Sequence, residues 1–524
     1  MNQSDKLSDL YYNLKKFHLS DSLYVIGAIN AAIKFGSNKP EYNNIPVWVA
    51  NYLKKFGSTL QDRKALSVTL SRMARFLLLS SANDHKGDFI DFNRSAGVKA
   101  YNGVVNLEDI DDKSGSLSTL ENFSLYFNRL GQIQLPLQRD RSDIVGRGFM
   151  LFYKTLNKIQ SQYDFNTKFK EYYNLTLIEF LTAGFVMWML TNGTLDDESL
   201  IEIPQLKKFV TSDTQKIFLS LSSGTQRQYR EFLRGDNWKV SNKLKDMYAL
   251  DPFSIMPAIK VEKSNIIPSM NYVVPQAKYL LDRASSGIFY LLSDKEREIG
   301  AKLRQNKRNP FRDSFGMVYR AYVGEHLAIS GDHSFIDLDY DFESVQGKIP
   351  DFAIIHENIC ILFEVKTSLL NIDSRTYFEK ETLEKEVKNG KIQGAISQLR
   401  EFKSKILTDM ITDDRFSSVD TVFGVVVGYE DIYCLNSTIL PILEDLYGST
   451  VDDLQFASIS DIEALGSAIG QEQNIVELLK DKVQHSAKRQ WAIGTLINQH
   501  TNYPNSLLVN SFNEFLETIG LKRF

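Results

Sequence analysis

Asp351, Glu364 and Lys366 fall in GKIPDFAIIHENICILFEVKTS, residues 347 to 368, a stretch whose apolar pattern belongs to a packed sheet. Two apolar runs, PDFAIIHE and NICILFEVKTS, are joined by a step through HEN, where asparagine tolerates the left-handed backbone that hairpin loops need. Alternate residues of a strand face opposite sides, so Glu364 and Lys366 share a face while Val365 points away. Asp351 begins the first strand and returns beside Glu364 across the turn. Two carboxylates and an ammonium therefore meet at one strand end. Paired carboxylates repel, and a hard divalent cation with oxygen ligands is the natural counter-charge. Mg²⁺ keeps several waters and takes one or two carboxylates, leaving room for a phosphate oxygen and a nucleophilic water. The backbone carbonyl of Val365 is a further oxygen candidate. Lys366 would orient or deprotonate the water and stabilise charge growing on a pentavalent phosphate. The competing reading makes Asp351 a turn residue and Glu364 with Lys366 a solvated ion pair of little energetic weight.

The elements that must position these groups begin near residue 311. The order reads helix (FRDSFGMVYRAYVGEHLAIS), strand (HSFIDLDYDF), the two strands above, helix (NGKIQGAISQLREFKSKILTDMI) and strand (SVDTVFGVVVGYE). A later strand and helix are LQFASIS and DIEALGSAI. This predicts an α/β fold, a small mixed sheet with helices packed on it. Residues 1–255 show apolar residues at three- and four-residue steps and predict a large, mainly α-helical accessory domain. Residues 256–310 follow as a proline-containing seam and a basic helix, 311–450 as the sheet domain, and 451–524 as a strand and helical tail. In the seam Pro257, Pro268 and Pro275 remove backbone donors and favour extended or edge-strand chain.

Pro350-Asp351, followed after twelve residues by Glu364-Val365-Lys366 in this strand and helix order, resembles the PD-(D/E)XK nuclease superfamily with its restriction-endonuclease-like fold. The likeness covers about residues 311–435. It implies Mg²⁺-dependent hydrolysis of DNA phosphodiesters, with Mn²⁺ as a substitute, Asp351 and Glu364 on the metal, and Lys366 serving the water. A glutamine on the helix after the lysine strand would hydrogen-bond a phosphate or the water, and Gln398 is the better match than Gln393. The family's preceding helix often supplies an acid four residues after a glycine, but GMVYR puts Arg320 there. The nearest acid, Glu325, lies five residues on, roughly 140° round the helix, and is the weaker candidate ligand. The resemblance also points to restriction or antiviral defence, and to a homo-oligomer or partner-protein complex for duplex cutting. DNA is the expected substrate, with RNA as the alternative, and a catalytically silent nuclease-fold DNA-binding or assembly module is the alternative to an enzyme.

Composition sets the outer bounds. Hydrophobic residues at 43% and charged residues at 24% match ordinary globular proteins rather than disordered or fibrous ones. A net charge of -4 gives no global attraction to a polyanion, so any nucleic-acid surface must be local. The best candidate is KEREIGAKLRQNKRNPFR, with Lys302, Arg304, Lys307, Arg308 and Arg312, against the plainer reading of a solvated helix face. Cys360 and Cys434 lack metal-ligand spacing, which with the absence of a secretory pattern predicts a reducing, cytoplasmic setting. LTLIEFLTAGFVMWML is shorter than a bilayer span and contains Glu179, which predicts a buried helix and no membrane partner. No Gly-x-x-x-x-Gly-Lys-Ser/Thr loop is present to bind a nucleoside triphosphate.

Overall fold

The computed structural model describes residues 3–34, 51, 54, 60–83, 87–107, 139–192, 203–235, 242–248, 250–303, 309–329, 334–342, 347–371, 374, 380–432, 435–500 and 504–521. Among the described residues the chain is mixed α/β, with many helices around two small sheets. The first sheet joins β1 (Ser223–Gly224) in parallel to β2 (Ala258–Lys260), which pairs antiparallel with β3 (Tyr272–Val273). Two of its strands thus come from the proline-containing seam, where extended chain was predicted.

The second sheet carries the chemistry of interest. Its order is β4 (Ser334–Asp337), β5 (Phe352–His356), β6 (Ile359–Lys366), β7 (Thr421–Gly428) and β8 (Leu454–Ala457). The first three strands are antiparallel neighbours, and β7 and β8 continue the sheet in parallel. Strand β8 extends the sheet beyond the boundary expected near 450, because a parallel partner for β7 must return through a crossover, supplied by the Leu435–Tyr447 helix. The β4 region is shorter than HSFIDLDYDF suggests. The Asp337 carboxylate accepts the Tyr340 amide at 3.3 Å and caps a short helix, Leu338–Asp341, which ends the strand.

Alternation along the strands builds two layers. Phe352, Ile361, Phe363 and Val425 share one core with the Pro310–Leu327 and Ile459–Ile469 helices. Ala353, Cys360, Leu362 and Val426 share the other with the Lys391–Leu407 and Leu435–Tyr447 helices. Cys360 is a buried free thiol, and Cys434 lies outside the described residues. Asn309 caps the Pro310–Leu327 helix by accepting the Arg312 amide at 3.2 Å, with Pro310 preset at the first helical position. The helix then rests on β5: a Cβ at Gly324 would come within 3.0 Å of the Phe352 ring, so glycine sets the spacing.

The HEN turn holds a local surprise. The residue with positive φ is Glu357, at 53°, rather than Asn358. Asn358 is used elsewhere: its side-chain amide donates to both Asp420 oxygens at 2.9 Å, and its carbonyl accepts the Asp420 amide at 3.0 Å, fixing the start of β7.

Helices on both sides of the boundary expected near 255 share the first of these cores. Phe149, Phe180 and Phe218 pack in it together with Phe315, Phe363 and Phe515. The apolar stretch with Glu179 is the Leu177–Thr191 helix, whose Phe180, Leu181, Phe185 and Val186 are buried. Glu179 completes a capping box by accepting the Thr176 amide at 2.7 Å. Among the described residues no single helix is long and apolar enough to cross a membrane, and one pair bent by 63°, Phe165–Tyr173 with Leu177–Thr191, meets the test together.

A buried ionic network crosses the same core. Arg147 donates from Nε and Nη2 to the two Glu463 oxygens, each at 2.6 Å, and from Nη1 to Asp431 at 3.2 Å. Tyr322 of the Pro310–Leu327 helix donates to Glu463 at 2.6 Å. Burial opposes the charge on Asp431, but Arg139 and Arg147 outweigh it and hold the carboxyl below its ordinary range. Removing one partner of such a pair strands a buried charge. Arg147→Met is therefore expected to cost about 3–5 kcal/mol in urea unfolding, and Arg147→Met with Glu463→Leu to cost less than the single change. A loss below about 1 kcal/mol for the single variant would show that the network does not couple these helices.

Candidate active site

The start of β5 and the end of β6 form the site. The Asp351 amide donates to the Phe363 carbonyl at 3.0 Å, carrying the antiparallel ladder one step past β5 and setting Asp351 against Glu364. Phe352, Phe363 and Val365 turn toward one core, so Asp351, Glu364 and Lys366 lie together on the opposite face, which the Lys391–Leu407 helix covers. The three residues singled out by spacing share one face at one strand end.

Their bonding is specific. Asp351 Oδ2 accepts the Val365 amide at 2.7 Å, and Oδ1 accepts Arg320 Nε at 2.8 Å. Glu364 is 1% exposed; its Oε1 accepts from Lys366, and its Oε2 is buried with no hydrogen-bond partner among the described residues. Burial, then repulsion from Asp351, pushes the Glu364 carboxyl up to about 8, against the pull of Lys366. Burial likewise raises Asp351, opposed by the Val365 amide, Arg320 and Lys366. Lys366 is partly exposed, with 28% of its side-chain surface open. An acid pair of this kind, buried and with one carboxylate oxygen unpartnered among the described residues, has the electrostatics of a cation seat.

Gln398 stands on the covering helix, and its side-chain amide donates to the Ile349 carbonyl, two residues before Asp351. It thus ties down the chain that carries the acid. Gln393 accepts from Tyr447 at 2.8 Å. Val365 lies in register with Val427 of β7, with its amide given to Asp351. Glu325 pairs with Lys158 at 2.9 Å, away from Arg320 round the helix, and among the described residues it makes no bond to the acid pair.

The basic cluster is only partly described. Lys302 pairs with Glu298 at 2.5 Å, while Arg312 donates to Ser293 at 2.8 Å and lies 5.9 Å from the Phe289 ring centroid. Arg304, Lys307 and Arg308 lie outside the described residues. Partial desolvation, then Arg312, and also Lys366 depress the Lys391 ammonium at the start of the covering helix. Lys391 thus feels the positive charge of both Arg312 and Lys366.

Sequence reasoning missed Asp337, Asp339 and Lys391. The first two were visible as alternating acids in IDLDYD at the end of a strand pattern, but nothing local showed that β4 would lie beside β5. Arg320 reaches them both, Asp337 at 2.5 Å and Asp339 at 3.1 Å. Among the described residues no three His, Cys, Asp or Glu side chains converge as a ready-made metal cluster. A Mg²⁺ site needs only one or two carboxylates besides water and backbone oxygen, and the unpartnered Glu364 oxygen opposite Asp351 fits that donor set. No family model matches the chain, and no curated protein matches it.

Proposed function

We propose that this chain is a Mg²⁺-dependent nuclease of the PD-(D/E)XK type that hydrolyses DNA phosphodiester bonds in the cytoplasm, in restriction or antiviral defence. One observation carries the reading: a fully buried glutamate with an unpartnered oxygen is set against a second carboxylate and beside a lysine, at a strand end that reaches the surface. The helix, three antiparallel strands, helix and parallel strand from Pro310 to Gly428 support the restriction-endonuclease-like fold.

Asp351, Glu364 and the Val365 carbonyl would hold the ion, which when bound supplies Lewis-acid stabilisation of the phosphate and a lowered pKa for water. The chain does the rest. Val365 and Arg320 orient Asp351 through one bond to each of its oxygens. Gln398 holds the segment before it. Lys366 is the group placed to take a proton from the attacking water or to neutralise the phosphate oxygens. Lys391, which feels both Lys366 and Arg312, would add to the attraction for a phosphate backbone. With one such site per chain, cutting both strands of a duplex calls for a second copy or a partner protein.

A second reading, a silent module that binds nucleic acid without cutting, is favoured by Arg320, which already occupies Asp351. Incubation of the full chain with supercoiled plasmid, linear duplex, single-stranded DNA and RNA separates the two. Nicking or linearisation with Mg²⁺ or Mn²⁺, abolished by chelator, is expected. Retention of plasmid in gel shifts without any cleavage under either metal would establish the silent module.

A further inference from the structure

Arg320 has more acid around it than a positioning role requires. Its guanidinium reaches Asp337 at 2.5 and 3.3 Å, Asp339 at 3.1 Å, Asp351 at 2.8 Å and the Asp351 carbonyl at 3.2 Å. Its Cζ lies over the Phe352 ring, 4.5 Å from the centroid. Gly324, one turn further on, lets the helix down onto that ring, so the arginine is delivered over the sheet end by backbone spacing as well as by charge. A planar fork held by three carboxylates and lying over an aromatic ring is a pre-organised cation that gives up its site reluctantly.

The charges do not balance with Arg320 alone. Asp337, Asp339 and Asp351 share Arg320, while Glu364 is paired with Lys366 through Oε1 and its buried Oε2 has no partner among the described residues. The acid group therefore divides into two cation seats that share Asp351. One is filled by the protein itself. The other, between Asp351 and Glu364, is not.

Resting on the metal-dependent reading above, we propose that Arg320 is a built-in substitute for one of two cations, so that the chain takes a single divalent ion at Asp351 and Glu364. Removing the guanidinium opens a second seat at Asp337, Asp339 and Asp351. Lysine at this position fills the seat with charge but cannot fork across the acids.

Mn²⁺ binding to the full chain, followed by calorimetry and by electron paramagnetic resonance, tests this without any activity readout. One ion per wild-type chain, two per Arg320→Gln chain with spin–spin broadening between them, and one per Arg320→Lys chain are expected. Two ions on the wild type, or a single ion on Arg320→Gln, overturn the inference while leaving the metal site standing. No ion on the wild type overturns the metal-dependent reading itself. Should Arg320→Gln fail to fold, Asp339→Asn decides. Its carboxylate serves Arg320 and not the ion, so Mn²⁺ affinity is expected to stay within about threefold of wild type, whereas a tenfold or greater loss would make Asp339 an ion ligand and overturn the proposal.

Discussion

Lys366→Ala is expected to lower the rate of phosphodiester cleavage by about 10²–10⁴-fold while Mn²⁺ binding is retained. The ammonium is the partly exposed member of the triad, and it is held on Glu364 Oε1, inside the site but open to solvent on one side. It can meet the attacking water and the phosphate, whereas the buried carboxylate beneath it cannot. Its loss also frees Glu364 from a competing cation, so affinity for the metal should hold or rise. That split between binding and rate distinguishes a group acting on the reaction from one that merely keeps the site folded. Plasmid cleavage under single-turnover conditions, beside calorimetric Mn²⁺ titration of the same preparation, checks it. An alanine variant that cuts at the wild-type rate removes Lys366 from the mechanism.

Glu364→Gln should do the opposite to stability and function: metal binding is lost, yet the metal-free chain becomes more stable in alkali. Burial and Asp351 raise this carboxyl to about 8, well above its ordinary value near 4.5. The folded chain then holds the proton more tightly than the unfolded one. Stability therefore falls as pH rises from about 4.5 to about 8, the interval between the two values, and the loss persists above it. Glutamine removes that term. In chelator, urea unfolding should show the variant more stable than wild type by on the order of 1–3 kcal/mol at pH 8.5, with little difference at pH 5. In the wild type, Mn²⁺ affinity should climb with pH up to about 8 as the metal displaces the Glu364 proton. A variant that is less stable than wild type at pH 8.5 would mean that Glu364 is a satisfied structural acid.

How much of this was legible in the sequence depends on whether a feature is local. The alternation in ICILFEVK placed Glu364 and Lys366 on one face, and the short HEN step brought Asp351 opposite them, because strand period and hairpin length are properties of consecutive residues. The proline-containing seam was likewise readable as extended chain. Three features were not legible. Arg320 could be seen to stand where an acid was expected, but its reason, the triad of Asp337, Asp339 and Asp351, exists only once β4 lies beside β5. Glu357 takes the left-handed turn because Asn358 is committed to Asp420, the residue before β7 and some sixty residues later. The boundary near 255 marked a change of pattern but not of packing, since an apolar helix face does not announce its partner and Phe149 and Phe515 meet at 5.7 Å. Energetically, the site is a place where local rules give way: buried acids without enough counter-charge cost stability that a bound ion would return.

Anomalous diffraction from crystals of the full chain soaked in Mn²⁺ tests the central claim most directly. A peak within about 2.0–2.6 Å of Glu364 Oε2 and of an Asp351 oxygen, beside an undisturbed Arg320, is the expected result. Crystals whose Mn²⁺ lies elsewhere, or that show no peak at Glu364 at any concentration or pH, would contradict it.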